Sequence, residues 1–214
     1  MAIPKTIQDK LNEGRQYRNI DVTGFEAREE DGKKVVEGYA TVFNTPYLLW
    51  SMRGYEVWEE IDPAAFDDCD MDDVIMQYNH EGRVFARTRN KTLEVKADKV
   101  GLKTRADLGG TSLGMQVYEE IKGGYTDRMS FGFVVKEDKR EVTEDKETGM
   151  ITVHRKITKI SKLYDVSAVS IPANDATSIS ARNFGEGVIA EIMEEIQKRE
   201  RQKQKIRILA RCKR

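Results

Sequence analysis

Asp127-Arg128-Met129-Ser130-Phe131-Gly132-Phe133-Val134-Val135 is the stretch on which the reading of this 214-residue chain turns. Phe131, Phe133 and Val135 recur at every second position, the period at which a strand shows one face, so the run predicts a strand with an apolar side. Ser130 opens it. A hydroxyl at that place adds little to a core, but on a rigid sheet element it suits a reactive group. Serine is a poor nucleophile until a base takes its proton, and the chain has two histidines to offer, His80 and His154.

On either side of that strand the pattern continues. Upstream, Gly109-Gly110-Thr111 leads into Ser112–Lys122, where Leu113, Val117, Tyr118 and Ile121 share one helical face before Gly123-Gly124 stops it. Downstream, 136–148 is almost wholly charged and predicts an exposed hairpin excursion or loop, followed by strands at 151–160 and 165–171 closed by Pro172-Ala173-Asn174. Nearer the start, strands at 18–27 and 34–43 flank the turn Glu30-Asp31-Gly32-Lys33. An apolar loop with Trp50 covers 47–53, and strands are expected at 55–61, 74–78, 92–97 and 102–106. Asp62-Pro63 reads as the cap and first position of a short helix. Eight or nine short strands, two helices and no alternation of strand and helix predict a mainly β (α+β) fold, a barrel or a sandwich.

Composition narrows the function classes. Hydrophobic residues are 39% and charged residues 34%, with a net charge of −1, so the whole chain is not an electrostatic binder of nucleic acid. Cys69 and Cys212 have no ligand spacing, which argues against a disulfide framework or a zinc site. Asp67, Asp68, Asp70, Asp72 and Asp73 are dense enough to suggest calcium, yet they lack the turn glycine and terminal glutamate of a calcium loop. Residues 1–14 carry no apolar signal core and no run approaches about 18 apolar residues, so a soluble intracellular protein is expected.

The expected organisation is an N-terminal arm (1–16), a β domain (17–182) and a C-terminal amphipathic and basic helical tail (183–214). In that tail Val188, Ile189, Ile192, Met193 and Ile196 form a helical stripe, and beyond Gln197 nine basic residues face one acidic residue, Glu200. The stripe either docks on the domain or serves assembly. The assembly reading is preferred, because a docked helix should continue its stripe past Ile196. The basic end could meet acidic protein or, less readily, DNA phosphate.

Three positions stand out by residue type and place: His80 at a strand end, Ser130 at a strand start and Asp165 at a strand start. A hydroxyl, an imidazole to deprotonate it and a carboxylate to orient the imidazole make a nucleophilic set. Each has a plainer reading: Ser130 as a strand-edge hydroxyl, His80 as a turn residue, Asp165 as a strand opener or the partner of a surface lysine. His154 is an alternative third member. Arg128 and Gly132 lie near Ser130 in sequence, but no oxyanion donor is assigned from sequence alone.

The run from Glu37 to Ala173 resembles the prohead protease family of tailed bacteriophages, capsid-maturation serine proteases related to herpesvirus assemblin. The pieces that carry the resemblance are Glu37-Gly38-Tyr39-Ala40-Thr41-Val42-Phe43-Asn44, Gln77-Tyr78-Asn79-His80, and Leu93-Glu94-Val95 with Gly101-Leu102. They continue with Gly110-Thr111, Met129-Ser130-Phe131-Gly132-Phe133, and Asp165-Val166-Ser167-Ala168-Val169-Ser170-Ile171-Pro172-Ala173. The resemblance implies a closed β-barrel of the assemblin type with surrounding helices and a C-terminal helical appendage. It implies a serine endopeptidase with Ser130 as nucleophile, His80 as base and Asp165 as third member. It implies action inside the immature capsid on scaffold and major capsid protein, with no metal or organic cofactor, and a homodimer or higher homo-oligomer. Two departures stand out: the family usually has glutamate where Asp165 stands, and aspartate where Glu81 follows the histidine. Self-cleavage is expected around 181–187, where residues are small and polar. The rivals from other classes are a non-catalytic capsid assembly or scaffold module on the same fold, and a metal-dependent hydrolase.

Overall fold

The computed structural model describes residues 13–20, 25–169 and 175–212. The strands are β1 (Gln16–Ile20), β2 (Glu26–Glu30), β3 (Lys33–Val42), β4 (Tyr47–Met52), β5 (Tyr55–Ile61), β6 (Ile75–Tyr78), β7 (Glu81–Arg87), β8 (Leu93–Ala97), β9 (Gly101–Asp107), β10 (Arg128–Glu144) and β11 (Ile151–Val169). Two helices accompany them, α1 (Ser112–Lys122) and α2 (Asp175–Cys212). The seven-stranded sheet runs β1-β10-β11-β5-β4, with β6 also on β11 and β7 on β6; the four-stranded sheet runs β2-β3-β9-β8.

The frame of the larger sheet is the long β10–β11 hairpin. Its charged outer half, the excursion expected at 136–148, is ordered strand, and the turn is pinned by Asp145, whose carboxylate accepts from the amides of Glu147 (2.8 Å) and Thr148 (2.9 Å). On its other edge β11 is followed in parallel by β5, then by an isolated bridge from Asp70 to Lys162, then by β6. Between β5 and that bridge the chain makes one 3-10 turn, Pro63–Phe66, capped by Asp62 accepting from the Ala64 amide at 2.9 Å. Asp70 and Asp73 of the acidic run pair with Lys162 and Arg87.

Phe131 and Phe133 point into the main core, stacked at 4.5 Å and fully buried, as their period requires. Burial of such side chains contributes about 2–3 kcal/mol each. α1, capped by Thr111 accepting from the Gly114 amide, buries Val117, Tyr118 and Ile121 into the same core. A second, smaller cluster joins Val57 of β5, Val153 of β11 and Val188 of α2, with Trp50 and Phe184 against it. At Gly185 a Cβ would fall 2.6 Å from the Trp50 ring, so the helix can lie this close only where it has no side chain.

Three expectations need correction. The strand expected over 18–27 is two strands in different sheets, β1 on β10 and β2 on β3, and residues 21–24 lie outside the described residues. The apolar loop expected at 47–53 is the edge strand β4. Neither sheet closes into the barrel that the resemblance implies. Among the described residues the larger sheet ends at β1, β4 and β7 and the smaller at β2 and β8, each paired along one edge alone, so neither ring of pairing is completed. Where the chain passes between sheets, a backbone hydrogen bond from Asn44 N–H to the Ile61 carbonyl (2.9 Å) ties the ends of β3 and β5. The fold is mainly β and open.

Candidate active site

Two strands and a turn bring one residue each to a common point. Pairing of β10 with β11 sets Ser130 opposite Ser167 and Gly132 opposite Asp165, and pairing of β6 with β11 sets Gln77 opposite Ser167. β6 then turns into β7 through Asn79 and His80 alone, both left-handed (φ 51° and 63°), with Tyr78 paired to Glu81. This is the backbone of a two-residue hairpin turn that favours Asn-Gly. A histidine in its second place is strained by about 1–3 kcal/mol, the kind of cost that accumulates at functional positions. The turn is tied down by the Asn79 amide donating to the Ala168 carbonyl at 3.1 Å.

His80 Nε2 lies 2.6 Å from Ser130 Oγ, and Nδ1 on the opposite side of the ring is hydrogen-bonded to Asp165 Oδ1. Asp165 in turn accepts from Ser167 Oγ (3.1 Å), which itself accepts from the His80 amide (3.1 Å). Ser167 therefore clasps both the carboxylate and the backbone that carries the imidazole. All four residues are buried. The carboxylate can only accept, so Nδ1 carries the proton and, in the neutral ring, Nε2 is left to take one from Ser130. Such a series can make a hydroxyl nucleophilic without further groups.

Gly132 makes room for this arrangement. A Cβ there would sit 2.4 Å from Asp165 Oδ2 and 2.8 Å from the Tyr17 ring. Tyr17 of β1 packs on the His80 imidazole with centroids 4.5 Å apart, and burial, with the Asp165 charge behind it, pushes the Tyr17 phenol pKa upward. The Arg18 carbonyl, also from β1, accepts from Ser130 Oγ at 2.8 Å. His154 is not brought to this point. It lies on an exposed position of β11, eleven residues and roughly 35 Å of strand before Asp165, lining an open surface pocket with Trp58 and Lys156. Among the described residues no group of His, Cys, Asp and Glu is placed to hold a metal ion, and no helix is long and apolar enough to cross a membrane.

A family model described as the caudovirus prohead serine protease matches residues 22–209. The chain belongs to that family. It is thus a member of the serine proteases of capsid maturation in tailed phages. Among solved structures it is similar to the bacteriophage T4 capsid assembly protease, gp21, at 12% identity with a TM-score of 0.39, covering 74% of this chain and 99% of that one. No curated protein matches the sequence.

Within this prohead protease fold, Ser167 and Tyr17 are site residues not singled out in the sequence, and Gly132, noted there only as a neighbour of Ser130, serves by its lack of a side chain. Two had a signal. A glycine inside an apolar strand marks a close approach, and Ser167, two places after Asp165, must share its face. Tyr17 had none, because only the pairing of β1 with β10 brings it near.

Proposed function

We propose that the protein is an endopeptidase that cleaves segments of the scaffold and major capsid protein inside the assembling prohead, with Ser130 as nucleophile, His80 as general base and Asp165 as the carboxylate that orients and stabilises the imidazole. The observation that carries this reading is the unbroken hydrogen-bonded series from Ser130 Oγ through both nitrogens of His80 to Asp165. In the reaction His80 takes the Ser130 proton as Oγ attacks the peptide carbonyl, Asp165 favours the imidazolium so formed, and the proton passes to the leaving amine. Water activated by the same imidazole then releases the acyl group. The aspartate serves where relatives usually carry glutamate because the β10–β11 register, with glycine opposite, lets the shorter side chain reach Nδ1 directly.

The tail fits a role in assembly. α2 docks through Val188 and Ile189, but Met193, Ile196 and Ile206 stay exposed on its outer half, leaving apolar surface for a capsid or scaffold partner or a second copy. Self-cleavage around 181–187 would require that part of α2 to unwind, since proteases read extended chains and Ala181 and Val188 are buried. The test is co-expression with the cognate capsid and scaffold proteins, comparing wild type with Ser130→Ala by intact mass. Discrete truncations that vanish in Ser130→Ala are expected. Capsids that assemble with every chain intact in both cases would overturn the reading in favour of a binding module.

A further inference from the structure

We propose that β1 lies in the enzyme's own substrate channel, and that the pocket holding the Arg18 side chain is the subsite for an arginine or lysine of the peptide to be cleaved. This rests on Ser130 being the nucleophile.

Ser130 and His80 have no solvent-exposed surface, so no peptide reaches them unless something leaves. β11 and β6 are held inside the sheet, whereas β1 is its end strand and its ladder partner is β10. β1 pairs antiparallel with the nucleophile strand, Asn19 opposite Ser130, as an extended peptide does when it adds to a sheet edge. It also delivers a backbone carbonyl to the hydroxyl: Ser130 Oγ to Arg18 O is 2.8 Å. A hydroxyl has one proton, and here Arg18 O and His80 Nε2 compete for it. While β1 is seated, its carbonyl draws Ser130 away from its base.

The residue that presents this carbonyl sends its side chain into an acidic pocket. Arg18 is bonded through Nε and Nη2 to Glu59, which is itself buried and also meets Arg155 Nη1 at 2.6 Å and the Tyr47 hydroxyl. Arg155 continues to Asp138 at 2.6 Å. With Arg18 in place Glu59 meets two guanidinium groups, while Asp138 meets Arg155 and, at 3.3 Å, Arg140. Once β1 leaves, Glu59 keeps only Arg155, which it shares with Asp138, and a buried carboxylate short of its cation is costly. The emptied pocket therefore calls for another cation, and a substrate strand in the place of β1 would supply it from the residue whose carbonyl meets Ser130.

The experiment uses the full chain. A peptide library is digested and cleavage sites are read by mass spectrometry, and Ser130 is labelled with a fluorophosphonate. We expect wild type to cleave after Arg or Lys about tenfold or more faster than after any other residue, and Glu59→Gln to lose most of that preference. We expect Arg18→Ala to be labelled about tenfold faster than wild type, because β1 loses its anchor. Cleavage without preference for a basic residue, or equal labelling of wild type and folded Arg18→Ala, overturns the proposal and leaves Ser130 as nucleophile. No cleavage and no labelling of any folded form overturns the nucleophile itself, and this proposal with it.

Discussion

Replacing Gly132 by alanine tests the site through a residue with no chemistry of its own. The added Cβ would fall 2.4 Å from Asp165 Oδ2, and contacts under 3.0 Å are essentially never found, so the carboxylate must retreat by at least the 0.6 Å difference. It cannot retreat freely, because Oδ1 is held by His80 and Ser167. The Tyr17 ring, 2.8 Å from the same Cβ, has to move as well. Displacements approaching 1 Å in a catalytic group cost about 10²-fold in rate, while overpacking of this size costs about 1–3 kcal/mol of stability. We therefore expect Gly132→Ala to fold, to melt a few degrees lower, and to lose about 10²-fold in kcat with little change in KM. The assay is steady-state cleavage of a peptide substrate, with circular dichroism for the fold. A folded Gly132→Ala enzyme with kcat close to wild type would show that His80 does not depend on the position of that carboxylate, and would remove Asp165 from the mechanism.

Ser167→Ala removes the hydroxyl that joins Asp165 to the His80 amide, so it is expected to lower kcat by about tenfold and slow fluorophosphonate labelling of Ser130, with stability reduced by about 1–2 kcal/mol. Unchanged labelling would reduce Ser167 to a packing residue. Glu59 would be raised by burial, but the Arg18 and Arg155 guanidinium groups outweigh that and hold its pKa to about 2, below the ordinary 4.5 of a glutamate. A depressed carboxylate stabilises the fold above its unfolded pKa and ceases to do so as pH falls towards the folded one. The stability gap between wild type and Glu59→Gln should therefore narrow, by something of the order of 3 kcal/mol, between about pH 5 and about pH 2 in urea titrations. A constant gap would refute the ion-pair assignment. Val188→Asp places a charge in the buried cluster of Val57, Val153 and Trp50 and is expected to undock α2, read as early tryptic cleavage within the helix and a red shift of tryptophan emission. Resistance equal to wild type would show that the docking does not depend on that contact.

What could be read from the sequence was local. The alternation of Phe131 and Phe133 settles which face of β10 is core, the Leu113-to-Ile121 spacing and Thr111 settle α1, and Asp31-Gly32 settles the β2–β3 turn. Ser130, His80 and Asp165 were singled out by residue type, place and resemblance, and they lie in contact. Features that depend on distant partners were hidden. β7 carries four exposed residues, Glu81 to Val84, and is a strand because β6 pairs with it. The β1 segment reads as the beginning of β2, yet its partner lies more than a hundred residues away, and with it go the burial of Tyr17 and Arg18. The purpose of Gly132 is visible only when Asp165 is opposite, and the open form of the sheet shows only in β1, β4 and β7 being paired along one edge alone among the described residues.

That position of β11 has a consequence for timing. It is the last of the described strands in the chain and sits in the middle of its sheet, so during synthesis the β1–β10, β4–β5 and β6–β7 pairs cannot join into one sheet before it appears. Until residues near 165 have left the ribosome, β10 lacks its hairpin partner, β5 and β6 lack the edge they run along, and the carboxylate beside His80 does not yet exist. Such long-range closure makes folding slow and leaves strand edges open to other chains meanwhile. It also means that no shorter nascent fragment carries a complete hydroxyl–imidazole–carboxylate set.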